Sequence, residues 1–203
     1  MKKILLGLLV VSLTACTLGT SNAPKEKVKE FLDKYKNQDS EVLSDLDESI
    51  SSEYTGEYKE RYKTIMVNQY KNMDYKITDE IVDGDTAIVT ADITVYDYAN
   101  AINSANTYLS EHEDEFMSKS TDETTKENET TSNGKGDTTT SNTDSSLDND
   151  KFLDYKLGLL ENVSDKKTYT IEFSLTKDKE KNTWNIESLS NSDIEKLHGL
   201  YEE

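Results

Sequence analysis

The sequence predicts an α+β domain in which helices come first and pack on an antiparallel sheet. Three observations point to it. Apolar residues recur at helical spacing from Val28 to Met73, the period drops to two after Asp74, and a second alternating run, Tyr169, Ile171, Phe173 and Leu175, lies near the C-terminus. Trp184 and Ile186 alternate in a returning strand after the polar turn Asp178 to Asn182, so the two alternating stretches read as two hairpins of one sheet.

Ahead of the domain stands an export leader. Lys2 and Lys3 form a basic start, Ile4 to Val11 an apolar run, and Leu13-Thr14-Ala15-Cys16 closes it. A membrane span needs about 20 apolar residues, whereas a shorter run between a basic start and small residues is the secretory pattern. Leucine three residues before the cysteine and a small residue directly before it resemble the lipobox read by lipoprotein signal peptidase. Residues 1–15 are therefore expected to be a cleaved signal peptide, and Cys16 the lipidated first residue of the mature chain. Cys16 is the only cysteine, so a disulfide, a thiolate metal site and a cysteine nucleophile are all absent from the domain. A single acyl chain holds a protein weakly, and the two or three chains carried by such a cysteine give stable anchoring.

Residues 16–24 form a short polar tether, and residues 25–200 the domain. Pro24 suits the first turn of a helix carrying Val28, Phe31, Leu32 and Tyr35. Asp39-Ser40 opens a second helix with Val42, Leu43 and Leu46, followed by a polar linker at 49–53. A third runs from about Ser52 to Met73 with Tyr54, Tyr58, Tyr62, Ile65, Met66, Gln69 and Tyr70 near one face. The tyrosine stripe is read as core packing with the hydroxyls reaching water.

Tyr75, Ile77 and Ile81 then alternate toward the turn Asp83-Gly84-Asp85, with Asp-Gly as the hairpin signal. In the returning strand Ala87, Val89, Ala91, Ile93 and Val95 share the buried face. Asp97 to Met117 reads as a helix again. Residues 118–150 hold Leu147 as their one large apolar side chain and are expected to be a disordered low-complexity insertion. Phe152, Tyr155, Leu159, Leu160 and Val163 resume the helical pattern, and Asn191-Ser192 with Asp193 is expected to cap a final helix through Ile194 and Leu197.

The strand Ala87 to Tyr96 running into Asp97, the closing Tyr169-Thr-Ile-Glu-Phe-Ser-Leu-Thr-Lys and the Thr183-Trp184-Asn185-Ile186 strand carry a resemblance. Behind a lipobox, they look like the lipoproteins of low-GC Gram-positive bacteria that bear a nuclear-transport-factor-2-like (cystatin-like) domain. That resemblance implies a curved antiparallel sheet wrapped around helices, with a cone-shaped cavity used in different branches for catalysis, small ligands or core packing. Fold of this kind does not settle function.

The formal net charge is −18, with 41 acidic against 23 basic side chains, which excludes a phosphate-backbone reader and makes nucleic acid an unexpected partner. The same excess is expected to hold the body of the domain away from an anionic membrane surface. His112 and His198, the only histidines, lie among charged residues and are expected to be solvated. Asp92 and Asp97, near the ends of a strand, are the acids a catalytic reading would use. No zinc-protease helix, phosphate-binding glycine loop or nucleophile elbow occurs. Asp83 and Asp85 lack the further oxygen ligands of a calcium loop.

The sequence therefore assigns no catalytic, cofactor-binding or metal-binding residue, and its one modification site is Cys16. It favours a lipid-anchored module on the extracytoplasmic face of the cell membrane, binding or scaffolding an envelope protein or peptide. The alternative is a small-molecule-binding protein or acid-base enzyme using the cone-shaped pocket. A third possibility places function in the insertion itself.

Overall fold

The computed structural model describes residues 23–51, 54–118 and 146–202. The architecture is α+β: among the described residues, six helices pack on one curved, four-stranded antiparallel sheet. Helix α1 (Pro24–Lys36) begins with proline in its first turn, where the missing N–H costs nothing. Helix α2 (Ser40–Ser51) starts with Asp39 Oδ1 accepting from the Glu41 N–H at 3.0 Å. It runs into the expected linker because Ile50, one turn beyond Leu46, is buried with it. Helix α3 (Gly56–Asn72) starts four residues later than the tyrosine spacing suggested, and Tyr54 instead stacks on Tyr62 at 4.8 Å from outside the helix.

Strands β1 (Asp74–Asp83), β2 (Thr86–Tyr96), β3 (Lys166–Asp178) and β4 (Thr183–Ile186) lie side by side in chain order. Between β2 and β3 the chain makes an excursion through α4 (Tyr98–Glu111), a 3-10 turn at Glu113–Phe116 and α5 (Asn149–Glu161), and α6 (Asn191–His198) closes the chain. The alternation in β2 and β3 is realised in full. Val89, Ala91, Ile93, Val95, Ile171, Phe173 and Leu175 are at most 1% exposed on the concave face. On the convex face Thr94 bonds Thr168 at 2.7 Å, and Thr170 donates to Asp92 at 2.8 Å. One face is dry and the other wet, as an antiparallel sheet covered on one side requires.

Strand β1 departs from the expected pattern. Its pairing with β2 shifts between Ile77 and Asp79, so Thr78 is an extra residue in a β-bulge. With side chains alternating at period two, one inserted residue moves everything beyond it to the other face. Ile81, expected to point inward, therefore stands opposite Ile88 on the solvent side and is 59% exposed. The hairpin turn also differs: Asp83 pairs with Thr86, leaving Gly84-Asp85 as the two-residue loop, with positive φ at Gly84 (+59°). Glycine at the first loop position fits the type II′ class rather than the Asp-Gly arrangement of type I′.

Helices α4 and α5 form the expected interrupted hairpin, joined by the stacked rings of Tyr108 and Tyr155 at 4.9 Å and the edge-on pair Phe116 and Phe152 at 5.6 Å. Leu157, not singled out by its spacing, is the most buried α5 side chain. The edges of the expected insertion are structured. Met117 bridges Leu147, Ser118 N–H donates to Ser146 at 2.9 Å, and Asp148 N–H donates to Phe116 at 2.7 Å before its carboxylate caps α5. Asn149 and Asp150 are already helix; residues 119–145, where the disorder expectation falls, lie outside the described residues.

A prediction follows from this closed neck. Because Ser118 and Ser146 are hydrogen-bonded neighbours, replacing residues 119–145 by a two-residue turn should leave the fold intact. Shortening the closed loop should raise stability by on the order of 1–2 kcal/mol. Chemical denaturation of the shortened chain checks it, and a large loss of stability would show that the segment contributes contacts of its own.

Candidate functional site

The concave face is the place where a cone-shaped pocket would hold chemistry. It is filled by Phe31, Leu32 and Tyr35 from α1, Met66 and Tyr70 from α3, Leu157 and Leu160 from α5, and Leu197 from α6, all at most 7% exposed. Among the described residues, the one buried polar side chain is Gln69. The expected acids serve local structure: Asp97 caps α4 by accepting from the Asn100 N–H at 3.2 Å, and Asp92 accepts from Thr170 on the wet face. No group of three His, Cys, Asp or Glu side chains is placed to hold a metal ion among the described residues.

Gln69 organises a polar junction that joins α3, the end of β2 and the end of α6. Its Oε1 accepts from the Tyr96 N–H at 2.8 Å, and its Nε2 donates to the carbonyls of Tyr96 at 3.0 Å and His198 at 2.9 Å. The amide thereby replaces a strand partner for Tyr96 and satisfies one of the carbonyls that a helix end leaves open. Gly199 completes the junction in the left-handed conformation (φ +70°). Its N–H bonds Lys196 at 3.1 Å, the next N–H bonds Glu195 at 2.8 Å, and its carbonyl accepts from Ala99 at 2.8 Å. The first two bonds make a Schellman ending to α6. Ser190, one residue earlier than expected, caps the start of that helix through the Asp193 N–H.

His198, expected in solvent, is drawn in by the same geometry. Its ring lies against Tyr35 and Tyr70, with centroids 6.4 and 5.6 Å away, and its Nε2 is 3.2 Å from the Tyr70 hydroxyl. Burial lowers its pKa to about 4, because the charged form loses water without gaining a carboxylate. Burial, with the electrostatic influence of neighbouring Tyr35 and Tyr62, raises the Tyr70 phenol well above its ordinary value. Tyr35 is raised by burial and by Asp45. Both tyrosines are thus neutral at physiological pH; of the stripe, Tyr70 has its hydroxyl against His198 rather than in water, while Tyr54, Tyr58 and Tyr62 are half-buried. His112, also expected in solvent, is half-buried, stacked on Tyr108 at 4.0 Å with its Nδ1 3.2 Å from the Tyr108 carbonyl.

The sign of the histidine effect is definite. The unfolded ring titrates near 6.5 and the folded ring near 4, so between those values the unfolded chain binds more protons and stability falls as the pH is lowered. The contribution is full above pH 6.5, and roughly 3 kcal/mol of it should be gone at pH 4, at about 1.4 kcal/mol per unit. Denaturation midpoints from pH 7 to 4 for the natural chain and for His198→Gln check this: the variant should lose the part of the slope that lies between 6.5 and 4.

Sequence reasoning named Gln69 only as a member of an apolar stripe. The signal that could have found the junction was Gly199 directly after the last periodic residues of α6, where a helix stop places glycine. Cys16 and the leader lie outside the described residues, and no described helix is long and apolar enough to cross a membrane. Comparison with protein-family models, with curated proteins and with solved structures finds no match.

Proposed function

We propose that the chain is a lipoprotein anchored through Cys16 to the extracytoplasmic face of the cell membrane. Its nuclear-transport-factor-2-like domain serves there as a non-catalytic binding or scaffolding module for an envelope protein or peptide. The observation that carries the reading is the basic, apolar and Leu13-Thr14-Ala15-Cys16 succession at the N-terminus, which fits lipoprotein processing better than a membrane span. The filled concave face supports the non-catalytic part. Tyr70 and His198 are the pair that acid-base chemistry would recruit, but the Tyr70 side chain is 2% exposed and His198 is held in its neutral form near physiological pH. Partner contact then belongs to outer surfaces of the domain.

The test is Cys16→Ser in a bacterial host that processes lipoproteins. The natural chain should take up labelled palmitate and fractionate with membranes, and the variant should do neither. Equal membrane retention of the two proteins would overturn the anchor.

A further inference from the structure

Among the described residues, the large apolar side chains that stand in solvent are Ile81, Val82 and Ile88, at 59, 51 and 42% exposed. They lie on both faces of one hairpin end: Ile81 and Ile88 on the solvent face, Val82 on the opposite face. Ile81 and Ile88 face each other across β1 and β2, Val82 pairs with Ala87, and all lie beside the Gly84-Asp85 turn. Single exposed apolar residues are ordinary, but a cluster at the tip of a hairpin marks a contact surface. The bulge at Thr78 is what turns Ile81 outward to build it.

The point where the chain enters the domain lies near the same end of β1, on the face that carries Val82. The backbone N–H of Lys25 donates to Glu80 Oε1 at 2.9 Å, and its Nζ lies 4.0 Å from Glu80 Oε2. Val82 follows Glu80 on the same side of the strand, about 7 Å nearer the turn. From here only Thr17 to Ala23 separate α1 from Cys16, a stretch that spans at most about 25 Å when fully extended. The apolar tip therefore stays within a short reach of whatever Cys16 is fixed to.

We propose that the β1–β2 hairpin tip is a second membrane contact, placing Ile81, Val82 and Ile88 in the interfacial layer of the leaflet that holds the Cys16 lipid. The proposal rests on the anchor reading above. Charge at the tip permits it although the chain as a whole is acidic: Glu80 pairs with Lys25, Asp85 with Lys179 and Asp178 with Lys181. Asp79 and Asp83 share the face of Ile81, with Asp83 nearer the turn, so the contact is shallow and stays at headgroup depth. Three side chains would bind a bilayer weakly alone, but the tether holds them at high effective concentration, so a weak contact suffices. The lipid limits the distance to the membrane, and the hairpin then sets the orientation of the domain.

The test uses the lipidated protein, whose only natural sulfhydryl is consumed by the thioether. Ile81→Cys, Ile88→Cys and Asn103→Cys each supply a single thiol for an environment-sensitive fluorophore. Asn103 is exposed on α4, beyond the far end of β2, about 30 Å along the strand from the tip. On phosphatidylcholine vesicles that include spin-labelled quencher lipid, probes at 81 and 88 should shift to the blue, brighten several-fold without quencher and dim with it. The probe at 103 should do none of these. If the protein floats with the vesicles while all three probes behave alike, the docking proposal is overturned and the anchor stands. If the protein does not float and its N-terminus carries no lipid, both fall. A shift that appears without vesicles and grows with protein concentration would assign the patch to a second copy of the chain and overturn the proposal.

Discussion

Gly199→Ala should be the most damaging small substitution in the domain, costing about 4 kcal/mol or more and lowering the melting temperature by roughly 10 °C. Two effects combine. A residue with a Cβ costs roughly 1–2 kcal/mol in the left-handed conformation that Gly199 occupies. The added Cβ would also fall 2.1 Å from the Tyr96 carbonyl oxygen and 2.4 Å from Gln69 Nε2. The first of these is backbone in a central strand, and the second is held by its own hydrogen bonds, so neither can yield cheaply. Gly84→Ala is the control. That glycine has a similar φ of +59°, but its Cβ would meet nothing within 4 Å, so only the conformational cost of about 1–2 kcal/mol should appear. Thermal and denaturant unfolding of the two variants side by side measures the close approach as their difference. Equal losses would show that the junction relaxes around the added methyl group and that the packing account is wrong.

Gln69→Leu should lose a comparable amount, about 3–5 kcal/mol, by a different route. Leucine fills much of the same space, so no large cavity forms. The Tyr96 N–H, the Tyr96 carbonyl and the His198 carbonyl lose their Gln69 partner in an interior without ready access to water. Each buried group left without a partner costs roughly 1–3 kcal/mol, and the contributions are not strictly additive. A local readout separates this from general loosening: the Tyr96 amide should exchange its hydrogen faster than its neighbours in β2. Tyr70→Phe, which removes only the hydroxyl next to His198 Nε2, should cost about 1 kcal/mol. Were Gln69→Leu no worse than Tyr70→Phe, the glutamine would not be the fastening it is taken to be.

Much of the sheet was legible because its cause is local. The alternation Ala87 to Val95 and Tyr169 to Leu175 is written residue by residue, and a face buried under helices realises it without exception. Ile81 was misplaced because the bulge before it carries no glycine or other sequence mark. A register slip at Thr78 is decided by what the partner strand and α1 can pack, not by β1 alone. His198 was misread for a similar reason. Its sequence neighbours Glu195 and Lys196 are polar, while Tyr70, which covers it, is 128 positions away. The insertion's outer limits were drawn too wide because Leu147 is a lone apolar residue in sequence, yet it pairs with Met117 to close the neck. Asp97 was placed correctly at the end of β2, but Asp92 lies inside that strand, paired on both sides, and only the structure revealed that a threonine hydroxyl and a helix N-terminus occupy the two acids. The proposed anchor on Cys16 rests on a linear pattern outside the described residues.

The strand order carries a kinetic consequence. Strands β2 and β3 form the centre of the sheet, yet their paired residues, such as Thr86 with Thr176 and Tyr96 with Lys166, are brought together only after the whole α4–α5 excursion has been spanned. Closing so long a loop is entropically slow compared with forming the β1–β2 hairpin or any single helix. A nascent or partly unfolded chain lacking β3 and all that follows it would hold the Ala87 to Val95 stripe open, with no neighbour on the β3 side. Release of the C-terminal segment is thus the event that commits this polypeptide to its native state, and truncations there should yield aggregation rather than a smaller folded protein.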